Sequence, residues 1–422
     1  MPAIVALSPY PALVPSRHFP RLMKLRHSIV DFTSKEFLRN HIQSILDFYL
    51  PHILDESGGF FQNFKDDGEV FNPGQRHLVS SCRMVWNFCK AYELFGDQKY
   101  QQLAQHGVDY IREKHWDASR QGYNWTLREN HQADDQTNHC YGLAFVILCF
   151  SAAHQAGVSG AQEDIQRAYH ILETRLWDEQ FGLYADEASP DWSRISDYRG
   201  QNANMHCCEA LLAAFEATSE STYLDRAYRL AKTVSVNLAE ESNGLIWEHF
   251  TKDLRIDWEY NKDDPKNLYR PWGFQPGHQT EWTKLLLTLH QHKPEDWMLE
   301  RAKFLFDVAL DASWDSERGG IYYGFSPDGA ICDDEKYFWV QAETFAAAAR
   351  LQIQIDDPHY KEWYNKIWQY CWDNMIDHKH GAWYRILSAD NKKLSDEKSI
   401  AGGKCDYHSI GACWDVLRVL DS

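Results

Sequence analysis

Histidines and carboxylates set into alanine- and leucine-rich segments are the first chemically suggestive feature of this 422-residue sequence. His139, His206, His278 and His408 each stand at the start of such a segment, and Arg83 and Trp339 stand at comparable places in two others. Two of the histidines have a carboxylate three residues on, His206-x-x-Glu209 and His278-x-x-Glu281. On a helix that spacing makes neighbours, so each carboxylate can orient or polarise its imidazole. Asn202 lies one turn before His206 and shares its face. An imidazole that titrates near neutrality is a natural reversible base for a weakly acidic carbon proton. Loss of a proton α to a carbonyl leaves an enediolate, whose oxygen needs a cationic or hydrogen-bonding partner. Arg83 can supply that partner, and Trp339 offers an apolar face to a sugar. These residues suggest proton transfer on a carbonyl compound, with no cofactor.

Three other readings stay open. The H-x-x-E pairs could ligate a metal, as Glu-x-x-His does in di-iron bundles, although the further carboxylates of such a centre are missing. A glycosidase needs two carboxylates about 5 Å or about 6.5–9.5 Å apart, drawn here from Asp134, Asp135, Glu209, Glu281 and Glu343. A non-catalytic carbohydrate-binding protein would account for the 17 Trp, 22 Tyr and 21 Phe residues, but it leaves the histidines without a task.

A repeat positions these residues. An aliphatic residue or Trp, an acidic residue, a few polar residues, Gly and a hydrophobic or aromatic pair recur as LDESGGFF (54–61), WDASRQGYNW (116–125) and WDEQFGLY (177–184). The pattern returns as LAEESNGLIW (238–247), WDSERGGIYY (314–323) and IDHKHGAWY (376–384). Its glycines, Gly59, Gly122, Gly182, Gly244, Gly320 and Gly381, are 63, 60, 62, 76 and 61 residues apart. Such an interval holds two helices of four to five turns with their loops. Thr33 and Glu36 form a capping-box pattern ahead of the first helix. Segments such as EALLAAFEA (209–217) and AETFAAAARL (342–351) carry small residues on both sides, which suits an inner helix buried all round. The expected fold is therefore all-α: six helix pairs closed into an (α/α)6 barrel, with the Gly turns at one end and short returns at the other. The long interval falls at 250–277, a polar, aromatic, proline-punctuated loop able to close over the mouth as a lid.

The acidic balance, 61 Asp and Glu against 43 Lys and Arg, disfavours nucleic acid and anionic membrane as partners. No apolar run reaches the ~20 residues of a membrane span. Ten cysteines without zinc-like pairs suit buried thiols in a reducing cytoplasm. Residues 1–30 read as a loose, proline-rich extension lacking the order of a secretory signal, with Met23 as an alternative start. Residues 31–422 read as one catalytic domain.

The segments RGQNANMHCCEALL (199–212), RPWGFQPGHQTEWTKLLL (270–287), YFWVQAETFAAA (337–348) and DYHSIGACW (406–414) resemble the N-acylglucosamine 2-epimerase superfamily over about residues 34–420. That group includes mannose isomerases, mannose 2-epimerases and cellobiose 2-epimerases. The resemblance implies an (α/α)6 barrel and a metal-free, cofactor-free mechanism through a cis-enediol. His408 and His278 match its two proton-transferring histidines, and Arg83 matches the arginine near the reacting oxygens. Asn202, His206 and Glu281 match polar contacts to the open-chain sugar, Trp339 a ring-stacking aromatic and Tyr141 a further sugar contact. The segments HLVSSCR and YFWVQAE look closer to mannose- and cellobiose-acting members than to the N-acyl enzymes. The expectation is a monomer or homodimer that interconverts D-mannose and D-fructose. Mannose or cellobiose 2-epimerisation is the alternative; isomerases of the group also keep both histidines, so their presence does not decide.

Overall fold

The computed structural model describes residues 30–421. The segment read as an extension, Met23 included, lies outside the described residues except for Val30. Six outer helices, α1 (Lys35–Tyr49), α3 (Gln98–Tyr110), α5 (Ala161–Ile171), α7 (Ser221–Lys232), α9 (Asp296–Ser313) and α11 (Pro358–Tyr370), alternate with six inner ones. The inner helices are α2 (Leu78–Phe95), α4 (Cys140–Gln155), α6 (Gln201–Thr218), α8 (Pro276–His292), α10 (Phe338–Ile355) and α12 (Tyr407–Asp421). Each inner helix touches the next, and α12 returns to α2, closing the ring as an (α/α)6 barrel. Burial follows this order: α7 hides one stripe, Tyr223, Ala227, Leu230 and Ala231, whereas α10 is buried from Phe338 to Leu351 at every position but Trp339. No helix among the described residues is long and apolar enough to cross a membrane.

Short antiparallel ladders tie the repeats together at the Gly-turn end. The extended residue that leads into each inner helix pairs with the hairpin of the next repeat: His77 with Thr126, His139 with Glu187, Gly200 with His249, Phe274 with Phe325 and Tyr337 with Ile386. Ser399 pairs back to Phe64 and completes the circle. The aspartate of five of the motifs caps its own turn; Asp315 Oδ1, for example, accepts from the backbone N–H groups of Glu317 and Arg318 at 3.0 Å each. The fourth residue of three inner helices, Asn204, Gln279 and Gln341, then clasps both backbone groups of Tyr184, Ile246 and Ile321 in the hairpin below.

Two local expectations change. The first cap is Ser34, whose hydroxyl accepts from Phe37 N–H, one residue beyond Thr33. In the second repeat the left-handed position is held by Gln121 (φ 53°) and not Gly122. Gly122 is needed for space instead, because a Cβ there would lie 2.4 Å from Asn138 Oδ1. In the fifth repeat both demands fall on Gly320, with φ +86° and the Tyr370 ring 2.4 Å from an added Cβ.

The 250–277 loop is a strap fixed at both sides. Arg270 is paired with Glu187 of the third repeat, and Lys266 reaches Asp334 of the fifth at 2.8 Å. His249 meets the Pro271 carbonyl at 2.7 Å, and Trp247, Trp258, Trp272, Phe274 and Phe325 cluster beneath.

Lys336 is fully buried between the fifth and sixth turns, bonded to Asp315, the Gly319 and Ala389 carbonyls and Asn391. Lys336→Met strands the Asp315 charge and should cost about 3–5 kcal/mol, read as a lower urea midpoint. The exposed Lys392 changed to Ala should leave that midpoint in place.

Candidate active site

Every inner helix begins at the ladder end, so its first turns line the top of the barrel. Positions two, six and nine of a helix share a face, and the candidate residues fall on these three levels. Tyr141, Asn202, Trp339 and His408 are second in their helices; Arg83, Phe145, His206, Glu281 and Glu343 are sixth; Trp86, Glu209 and Lys284 are ninth. The expectation of one ring of equivalent positions is thus corrected to a cup of stacked tiers. His278, third in α8, sits between levels. His139 lies outside the cup: it precedes α4 in the ladder, its ring 4.0 Å from that of Trp125 and its Nδ1 3.7 Å from Glu187.

Seven of the eight residues singled out for substrate chemistry lie close to one another, and Asn202 shares their face one turn above His206. Arg83 donates to the Tyr141 hydroxyl at 3.0 Å and lies 3.5 Å from His408 Nε2. Tyr141 packs edge-on to His206 with centroids 5.0 Å apart. Trp339 stands between the two outermost imidazoles, 5.1 Å from the ring of His278 and 5.8 Å from that of His408.

Three imidazoles are each held through Nδ1 by a carboxylate: His206 by Glu209 at 2.9 Å, His408 by Glu343 at 2.7 Å and His278 by Glu248 at 2.9 Å. Donation from Nδ1–H leaves Nε2 as the basic nitrogen. The His206–Glu209 pairing agrees with the H-x-x-E reading, but His278 does not pair with Glu281. His278 turns toward the hairpin of its own repeat, where Glu248 is also held by Gln201, itself bonded to the Trp282 indole. Glu281, on the axis-facing sixth position, approaches His206 Nδ1 at 4.0 Å instead.

Sequence reasoning missed Glu248, Lys284 and Tyr407. Glu248 is thirty residues from its histidine and leaves no local trace. Lys284 extends the His278-x-x-Glu281 spacing by another three residues and was open to the same argument. Tyr407, beside His408, donates to Glu209 at 2.8 Å.

Burial sets the charge states. It takes His408 down to about 4, with the Arg83 guanidinium adding to the effect and the Glu343 bond opposing it. Burial likewise lowers His206 against the pull of Glu209. It raises Glu281 well above the usual carboxylate range, and the adjacent Glu343 charge pushes the same way, so Glu281 is the group poised to carry a proton. Burial also opposes ionisation of Glu209, yet the His206 bond and the Lys284 charge bring it to about 2. Both Glu281 oxygens, Asn202 Oδ1 and Arg83 Nε are buried without a hydrogen-bond partner among the described residues. Orphaned groups of this kind cost about 1–3 kcal/mol each, and the hydroxyls of a polyol would satisfy them. The six helix N-termini add partial positive charge where an oxyanion would develop.

Two groups, His206 with Glu209 and Glu281, and Glu281 with Glu343 and His408, bring possible ligand atoms within 4.8 Å. A metal there would compete with the Nδ1–carboxylate bonds already formed. Of the carboxylates a glycosidase would use, four are otherwise engaged: Asp134 pairs with Arg128, Asp135 caps Thr137, and Glu209 and Glu343 hold histidines, which leaves Glu281 where that chemistry needs a pair. Below the ninth tier, cavities of about 90 and 600 Å³ continue toward the short-return end, lined there by Lys90, Trp414 and Arg418.

This helical barrel with a histidine-lined cup belongs to the N-acylglucosamine 2-epimerase family, whose model matches residues 59–412. A D-mannose isomerase from Marinomonas mediterranea is 53% identical over 390 residues, covering 92% of this chain and 98% of that protein. A crystal structure of a D-mannose isomerase superposes with a TM-score of 0.91 at 52% identity, over 93% of this chain and 100% of that one. The cellobiose 2-epimerase of Spirochaeta thermophila shares the fold at 22% identity and a TM-score of 0.81, over 92% and 97% of the two chains.

At pH 5.5, between the value for His408 and that of a free imidazole, nitrogen-resolved NMR should show His408 neutral with the proton on Nδ1. An imidazolium signal there would contradict the electrostatics of the cup.

Proposed function

We propose that this protein interconverts D-mannose and D-fructose by moving a proton between C2 and C1 through a cis-enediol. The observation that carries the reading is the pair of carboxylate-backed imidazoles, His278 and His408, on either side of Trp339, with Arg83 against His408 Nε2. Kinship at 53% identity with a D-mannose isomerase supports the reaction and the sugar.

In the open-chain aldose, His408 Nε2 removes the C2 proton. The C–H electrons form the C1–C2 double bond, and the carbonyl electrons move onto O1. Arg83, protonated Glu281 and the helix N-termini stabilise that oxygen, which takes up a proton to give the enediol. The His408 imidazolium then returns its proton to C1 while the 2-hydroxyl loses one, and the ketose results. No step calls on a metal or cofactor. His206, Asn202 and Tyr141 hold sugar hydroxyls, and Trp339 stacks on the C–H face. Delivery to the opposite face of C2 by His278 would instead epimerise mannose to glucose, the alternative branch. Ten free cysteines, nine of them buried, suit a reducing cytoplasm.

Incubation with D-mannose and separation of the products tests the reading. Fructose as the main product supports it, glucose as the main product means 2-epimerase, and no conversion overturns both. His408→Ala should lower kcat by at least about 10²-fold with the circular dichroism spectrum unchanged; full activity would remove His408 from the chemistry. Turnover should also survive exhaustive dialysis against a chelator, whereas a loss reversed by added divalent metal would revive the metal reading.

A further inference from the structure

Lys284 takes part in none of these steps, yet the floor of the cup is organised around it. It is the ninth residue of α8, one turn below Glu281, and its side chain is 12% exposed. Its ammonium is bonded to Glu343 Oε2, while Glu343 Oε1 holds His408 Nδ1 at 2.7 Å. The carboxylate between them is 2% exposed, so the ammonium and the imidazole are linked through a buried charge.

The charges facing Lys284 come from four elements. Glu281 lies on α8, Glu343 on α10, Glu209 on α6 and Asp415 on α12. Asp415 is already matched by a two-point bond from Arg350, and Glu209 is bonded to His206 and Tyr407. Arg83, the next cation above, is turned toward Tyr141 and His408. Lys284 is therefore the cation bonded to the carboxylate that orients His408. Burial alone would strip its proton, but the Glu343 charge, with that of Glu209, holds it well above the usual lysine range.

Resting on the reading of His408 as the base, we propose that Lys284 is a positioning residue that anchors the Glu343 carboxylate and so holds His408 with Nε2 toward the sugar. Without the ammonium, the ionised Glu343 and Glu209 face each other in a buried site beside a Glu281 that already holds a proton, and relief comes when one of those two takes a proton as well. A protonated Glu343 no longer has to accept from Nδ1–H, and the imidazole loses the bond that fixes its tautomer. The competent form, with Glu343 ionised and His408 neutral, then requires a higher pH.

The test compares Lys284→Met with Lys284→Arg across a pH series on D-mannose, with wild type in the same assay. Lys284→Met should lower kcat about 10- to 100-fold, leave KM within about 3-fold, and move the acid limb of kcat up by about 1–3 pH units. Lys284→Arg, which keeps the charge, should restore the wild-type limb. Should the Met variant not fold, Lys284→Gln against Lys284→Arg makes the same comparison. An acid limb unmoved by loss of the charge overturns the proposal, as does equal impairment of the charged and uncharged variants, which would mark a packing role. A wild type inert toward mannose would sink the functional reading itself, and that result is distinct from an active wild type whose acid limb ignores Lys284→Met.

Discussion

The hydrogen-bonded ladder between one repeat's entering strand and the next repeat's hairpin is the constraint on which the molecule depends. It fixes where each inner helix starts, from His77 against Thr126 round to Ser399 against Phe64. Because a helix advances about 1.5 Å per residue, a fixed start also fixes the height of its second, sixth and ninth residues. Six separate helices can then contribute to one cup although few of the contributing residues are near each other in sequence. The amides at position four, on the far side of three of these helices, lock the same start from the outside through Asn204, Gln279 and Gln341.

Within the cup, desolvation and charge are balanced residue by residue. A buried imidazole loses its proton readily, and a buried carboxylate keeps one unless it is paired. Glu209 and Glu343 are paired and ionised, and each fixes the tautomer of a histidine. Glu281 has no partner within hydrogen-bonding distance among the described residues and is driven toward its neutral form. Three glutamates in a small volume thus come to differ in charge through the placement of Lys284, Arg83 and the histidines. Donors, acceptors and bases stand ready for a ligand rich in hydroxyls.

Much of this was legible in the amino-acid sequence. The glycine turn recurs at nearly even spacing because every hairpin must make the same ladder, and the six pairs follow from it. Polar residues inside Ala- and Leu-rich helices were conspicuous because such helices are buried on all sides, so His206, His278 and Arg83 stood out. The pairing of His278 with Glu248 was hidden because a hairpin thirty residues away supplies the acid, and only the ladder brings the two together. The tiers were obscured where helices are entered differently: α8 starts with Pro276, and α12 follows an added turn at Ile400–Lys404 that closes against His77. Gln121 in the left-handed position shows a further limit, since the chain tolerated a strained residue to give Gly122 room beside Asn138.

Arg83, Glu281, Glu343 and Tyr407 form a buried floor to the cup, and the last two also line the cavity beneath it. An aldose and the ketose made from it therefore call on the same few side chains and cannot occupy them together. Each excludes the other from the empty protein, so the product acts as a competitor as it accumulates. The traffic is then governed by the relative abundance of the two sugars outside.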